Sequence, residues 1–344
     1  MDSFPTLWTV HPKPLGGEIL TSWLTRIAQM HGQNLHSFCT DHWPATQIWT
    51  RDADLLGERQ ILETLCAGTG VSFAAAQATI FATFSGVLFE GEFPAGKSSF
   101  IRPVGVYHRK RRGFGMQFCA ACLRDEPKPF FKLNWRLIGF PTCTSHGLIL
   151  SDRCSICRSP ICLHRGGITH CDVCSADLRD TAQFPADQSV LSLQKHNEAV
   201  LTGDSVSLIP AFRGMYPLSY FRLLHRLMLI TLFGVRAPAF RTAIEQKFNC
   251  ELGIYQEDVE KELGFVAPSR LHNALVAVSH IISNWPHNFI EVAKDAKLWA
   301  SWASKDSSAA DLPYVYTKVV REHLSDPMGH RRHIQRPLAC GPVP

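Results

Sequence analysis

The chain has 344 residues, 45% of them apolar and 19% charged, a composition that predicts an ordinary folded protein of two or three domains. No apolar run reaches the length of a membrane span, and Met1-Asp2-Ser3 opens no secretory leader, so a cytoplasmic protein with no membrane partner is expected. The net charge of +5 is uneven: residues 1–96 carry four Lys/Arg against nine Asp/Glu, residues 97–170 thirteen against three, and residues 171–344 eighteen of each.

From the N-terminus, Ile19, Leu20, Trp23, Leu24, Ile27 and Ala28 recur at helical spacing. The His31-Gly32 step ends that helix, and Leu35, Phe38 and Cys39 begin another with Asn34 as its N-cap. Helix, short turn, helix is the outline of a helix-turn-helix, or of an ordinary helical hairpin. Residues 58–84 also read as helical. Gly91 to Ser98 satisfies the P-loop pattern G-x4-G-K-[ST], but the poor helix former Ser-Phe-Ile-Arg-Pro follows it, and no βαβ unit surrounds it.

A basic cluster, Arg109, Lys110, Arg111 and Arg112, is the candidate nucleic-acid contact. It leads into two consecutive ligand tetrads. The first is Cys119-x2-Cys122 with Cys143-x2-His146; the second is Cys154-x2-Cys157 with Cys171-x2-Cys174. A C-x2-C knuckle supplies two soft donors from one tight turn, and four protein ligands leave no open position, so two structural zinc ions are expected. Each knuckle is expected on a turn between short strands. Cys162 lies between the knuckles of the second tetrad as a spare ligand candidate, while Cys39, Cys66, Cys250 and Cys340 read as ordinary residues. The aromatic stretch Pro129 to Phe140 reads as the small core around the metal, with a base-stacking platform as the alternative. Bound thiolates would offset part of the basic excess and leave about +7, enough to favour a polyanion.

Beyond Phe184 the pattern is helical, most clearly over Leu218 to Phe233, and Gln256 to Ala277 outlines a second helix-turn-helix. The expected organisation is an N-terminal helical domain (1–100), tandem zinc-ribbon-like modules (101–182), a C-terminal helical domain (183–322) and a disordered basic tail (323–344). The fold class is mainly α with a small α+β zinc region. No H-E-x-x-H, deaminase pattern or G-x-S-x-G elbow is present. The carboxylate pairs Asp52/Asp54 and Asp125/Glu126 read as solvated surface.

Particular residues carry a family resemblance. Pro12-Lys-Pro14-Leu-Gly-Gly-Glu18 through Ser22, Trp23 and Arg26 resembles the N-terminal signature of the TniQ/TnsD family. Trp49-Thr-Arg51-Asp52-Ala-Asp54, Val106-Tyr107-His108-Arg109, Gln117-Phe118-Cys119, Trp135-Arg136-Leu137 and Asp152-Arg153-Cys154 are similar to further family blocks, as is Asn284-Trp285-Pro286. Ile19, where the family usually has a small polar residue, departs from it. The resemblance implies a non-enzymatic target-selection adaptor in transposition. Such a protein recognises a DNA site or an RNA-guided CRISPR effector complex, recruits an AAA+ ATPase, and in some members forms a homodimer. The alternatives are a sequence-specific zinc-containing DNA binder without a guide complex, and a nuclease or NTPase using residues 91–98.

Overall fold

The computed structural model describes residues 7–46, 48, 52–91, 99–104, 106–107, 110–111, 115–163, 167–254, 262–305 and 312–326. The first helix, α1 (Leu20–Met30), buries Leu20, Trp23, Leu24, Ile27 and Ala28, the expected stripe. It stops at His31, and Gly32 takes the left-handed φ of 71° that glycine tolerates. The Asn34 carboxamide accepts from Ser37 N at 2.8 Å and starts α2 (Leu35–His42). Short helices α3 (Ala53–Leu56), α4 (Arg59–Thr69) and α5 (Phe73–Gln77) follow, α3 and α5 capped by the side chains of Asp52 and Ser72. These helices enclose a small core in which Trp23, Phe38 and Leu65 are buried.

Among the described residues the strands lie in the middle of the chain. β1 (Val106–Tyr107) pairs antiparallel with β2 (Lys110–Arg111), and β3 (Thr142–Cys143) with β4 (Leu148–Ile149). Between these hairpins lies α6 (Ala120–Asp125). Phe131, Trp135, Leu137 and Phe140 from the aromatic stretch are buried, so it serves as core and offers no open stacking platform.

The C-terminal part is helical: α7 (Gln188–Leu201), α8 (Pro217–Leu232), α9 (Ala237–Phe248), α10 (Pro268–Ser283), α11 (His287–Asp295), α12 (Ala300–Ala303) and α13 (Tyr314–His323). Pro217 and Pro268 sit in first turns, where a missing N–H costs nothing. Buried Arg226 donates to the carbonyls of Trp302, Ala303 and Lys305 and closes the end of α12. Trp285 stacks on Phe289 with 5.3 Å between ring centroids, which places the Asn284-Trp285-Pro286 block in the core. One large core runs from Ile19 through the cysteine region to Leu324. The chain is therefore mainly α with a small α+β cysteine-rich region. Among the described residues no single helix is long and apolar enough to cross a membrane.

The second helix-turn-helix candidate is only partly described: Leu263–Phe265 is one 3-10 turn and α10 follows to Ser283, while the first helix of the candidate falls on residues 255–261, outside the described residues. One expectation needs correction: the first knuckle is helical, as described below.

Candidate metal centres

The two predicted tetrads come together, each with its four donor atoms within 4.8 Å of one another. Three knuckles share one local geometry. The residue four positions after the first cysteine donates its N–H to that cysteine's carbonyl: Gly147 to Cys143 at 2.8 Å, Arg158 to Cys154 at 3.0 Å and Ser175 to Cys171 at 3.0 Å. All three donors have φ between 59° and 67°, an unusual conformation for arginine and serine that the knuckle imposes. The fourth knuckle differs. After Cys119 the chain enters α6, and Leu123 N bonds to Cys119 O as an α-helical turn. Ala120 and Ala121 favour helix there, which corrects the expectation of a turn between strands.

The first tetrad has Cys122 Sγ 3.5 Å from Cys143 Sγ, and His146 Nδ1 3.3 Å from Cys122 Sγ, 3.5 Å from Cys143 Sγ and 3.7 Å from Cys119 Sγ. The second has Cys154 Sγ 3.6 Å from Cys174 Sγ and Cys157 Sγ 3.6 Å from Cys171 Sγ. Four ligands at about 2.3 Å from a shared centre sit about 3.7 Å apart in a tetrahedron. A disulfide would need about 2.05 Å. The donors thus fit a tetrahedral metal ion in both clusters. Hydrogen bonds from Cys119 and Cys122 hold the Cys143 thiol well below its ordinary range, and hydrogen bonds from Ser159 hold Cys157 down to about 6. A bound cation would take the place of those shared protons. Cys162 is buried and belongs to neither cluster.

The Asp125 carboxylate lies 3.1 Å from His146 Nε2, so the imidazole donates there and keeps Nδ1 for the metal. Gln183 accepts from Ala120 N at 2.6 Å and donates to Ile149 O at 2.8 Å. Gln194 accepts from Thr142 N at 3.0 Å, and Glu198 accepts from Thr144 Oγ1 at 2.7 Å. The first cluster is thus held from α7 as well as from its own turns.

Of the two carboxylate pairs read as solvated surface, Asp125/Glu126 is exposed, whereas Asp52/Asp54 is not. Asp54 is 1% exposed, and with Asp52 it brackets the fully buried Arg136 guanidinium. Arg136 Nη1 lies 2.8 Å from Asp52 Oδ1 and 2.9 Å from Asp54 Oδ2, and Nη2 lies 2.6 Å from Asp52 Oδ2. Thr21 N also donates to Asp54 at 2.8 Å. Burial works against the Arg136 charge, but the two aspartates hold its guanidinium above the ordinary value. Burial pushes the Asp54 carboxyl up to about 6 against the pull of Arg136. Arg136 also donates to Arg102 O, and Arg102 in turn pairs with Asp152 at 3.0 Å and donates to Val266 O at 2.8 Å. A second network joins Glu18 to Arg26 at 2.6 Å and to Ser22 Oγ at 2.9 Å, and Ser22 Oγ accepts from Phe131 N. These two networks clamp the N-terminal helices onto the loop between the first cluster's ligand pairs.

Of the basic cluster, Arg109 and Arg112 lie outside the described residues, and Lys110 and Arg111 are described only as backbone of β2. The P-loop-like stretch after Gly91 and the basic tail after Asp326 also lie outside them.

The fold and these sites define a helical protein built around two closed, thiolate-rich modules that could each bind a metal ion. Residues 9–150 match the family model described as TniQ, a domain associated with transposition. The match ends before the second cluster. A comparison with curated proteins returned no match.

Proposed function

We propose that the protein is a non-enzymatic adaptor that selects targets in DNA transposition, held in shape by two structural zinc ions and acting in the cytoplasm. It links a target, either a DNA site or an RNA-guided CRISPR effector complex, to an AAA+ ATPase and thence to the transposase, and it works as a homodimer. The observation that carries the reading is the closed donor set of the first cluster inside the TniQ domain: four protein ligands leave no position for a water or a substrate. Zinc is the ion that three thiolates and one imidazole, or four thiolates, in a tetrahedron select.

The α1–α2 pair bears on how the target is met. The outward positions of α2 carry His36, Ser37, Thr40 and Asp41, with no lysine or arginine on that helix. A helix entering the major groove usually brings arginine or lysine to phosphates and guanines. This favours docking on a protein or ribonucleoprotein surface over free-standing, sequence-specific DNA binding. The test is a pull-down with immobilised full-length protein, offering an AAA+ transposition ATPase and, separately, a reconstituted guide complex. Retention of the ATPase is expected; failure to retain it under any condition overturns the adaptor reading. ATP hydrolysis by the purified protein, lost in Lys97→Ala, would establish the NTPase alternative instead.

A further inference from the structure

A cleft of about 470 Å³ opens between the end of α1 and the second metal module. Its walls come from Arg26, Gln29 and Met30 on α1, from Lys128 after α6, and from Ile168 and Arg179 beside the second cluster. Gly167, at φ 96°, brings the module's backbone against α1: a Cβ there would lie 2.4 Å from Gln29 Nε2.

The charged residues lining this cleft are cations, two of them already paired with carboxylates behind the wall. Arg26 gives Nε and Nη2 to Glu18 and Lys13 O, which leaves Nη1 for a ligand. Arg179 gives Nε and Nη2 to Asp177 at 2.6–3.0 Å, again leaving Nη1. Lys128 is exposed and makes no ion pair with a described residue. The lining contains no carboxylate. Met30, 54% exposed, and Pro129 supply apolar surface between the cations, over a floor that includes Ile168, itself 5% exposed. Two of the three cations are already fixed in direction by their carboxylate partners, so little conformational freedom is lost when an anion arrives.

We propose that this cleft binds one unpaired nucleotide of a nucleic-acid strand, its phosphate meeting Lys128 and the free edges of Arg26 and Arg179, its base lying on Met30 and Ile168. A volume of that size suits a compact ligand, whereas an acidic peptide strand or helix needs an elongated groove. Donors that meet phosphate, with apolar surface for a base, are the features of sequence-tolerant single-strand binding. The proposal rests on the reading that the protein engages nucleic acid, but it assigns residues other than Arg109–Arg112 to the contact.

The test uses the full chain with its metals, a fluorescent mixed-sequence 12-nucleotide single strand as DNA and as RNA, and a decaglutamate peptide. Lys128→Glu combined with Met30→Glu changes only exposed positions, and retained metal content confirms the fold. The expected result is about a tenfold or greater loss of single-strand affinity, with the salt slope reduced by about 0.7 for each phosphate contact removed. A 5-iodouracil strand bound to the unaltered protein should crosslink to Met30 or Pro129. Unchanged affinity in the double variant, or crosslinks only elsewhere, overturns the cleft and leaves the adaptor reading standing. Binding of decaglutamate but not of the strand identifies an acidic protein segment as the occupant and overturns the proposal. Absence of any nucleic-acid binding by the unaltered protein overturns both the cleft and the nucleic-acid part of the function.

Discussion

The two metal modules are built from the same knuckle but are held differently. In the first, Cys119, Cys122 and Cys143 are 0–3% exposed and only His146 reaches solvent; in the second, Cys154 and Cys171 are equally buried, but Cys157 is half-buried and Cys174 exposed. The first draws its support from far along the chain, with Gln183, Gln194 and Glu198 on one side and Asp52 and Asp54 on the other. The second closes on itself through two isolated bridges, Arg153 with Pro160 and His170 with Asp177, and leaves Ile156 and Val173 on its knuckle tips in water. Both clusters share the large core, Cys154 and Cys171 included, but the first is braced by more hydrogen bonds from distant helices and the second depends more on its own bridges. The span that matches TniQ includes the first cluster whole and ends before the second, which agrees with that division.

The largest effect should separate the two. A structural zinc site contributes on the order of 10 kcal/mol, comparable with the whole stability of a domain. Cys122→Ser should therefore yield unfolded or insoluble protein. Cys157→Ser should keep its helical far-UV signal and retain one metal per chain. With a chelator in excess, the unaltered protein should release metal in two phases, the exposed cluster first. Equal sensitivity of both variants, with a single release phase, would erase the distinction.

The next effect tests the brace. Arg136→Ala strands the buried Asp54 carboxylate beside the partly buried Asp52, a change that costs about 3–5 kcal/mol. The urea midpoint should fall accordingly, and Arg136→Lys should recover only part, because one ammonium cannot span both carboxylates as the guanidinium does. Near-native stability in Arg136→Ala would show that the N-terminal helices are held by apolar contact alone.

These differences were only partly legible in the sequence. The tetrads, the Asn34 cap and the His31-Gly32 stop depend on spacings of a few residues, so the pattern carries them. Asp54 and Arg136 are separated by 82 positions, and no periodicity links them. The TniQ-like blocks contain Glu18, Ser22, Arg26, Asp52, Asp54 and Arg136, but a block does not disclose that its charged members meet one another. Placed together they form structural ion pairs and hydrogen bonds, which removes all but Arg26, whose Nη1 edge lines the cleft, from the list of target contacts. The Cys119 knuckle was misjudged because its two alanines favour helix over the turn that Gly147, Arg158 and Ser175 make elsewhere.

The smallest effect concerns pH, and it has opposite signs on the two sides of the comparison. Folding raises the Asp54 carboxyl from 3.8 to about 6, so between those values the folded chain holds a proton that the unfolded chain has released. That contribution is full below about pH 4 and is lost as pH rises through about 6, with a magnitude of about 3 kcal/mol. Asp177 beside the second cluster goes the other way: the hydrogen bonds from Arg179 hold its carboxyl down to about 2, so its contribution is present above about pH 4 and is lost as pH falls towards 2. Asp54→Asn keeps an acceptor for Thr21 N and leaves Arg136 its two bonds to Asp52, so at pH 7 its cost should stay within about 1 kcal/mol. Its urea midpoint, subtracted from that of the unaltered protein at each pH, should show the Asp54 slope between pH 4 and 6, because loss of thiolate ligands in acid is common to both and cancels. A flat difference across that window would mean that Asp54 is ionised in the folded chain with no rise in its carboxyl, and that Arg136 neutralises both aspartates.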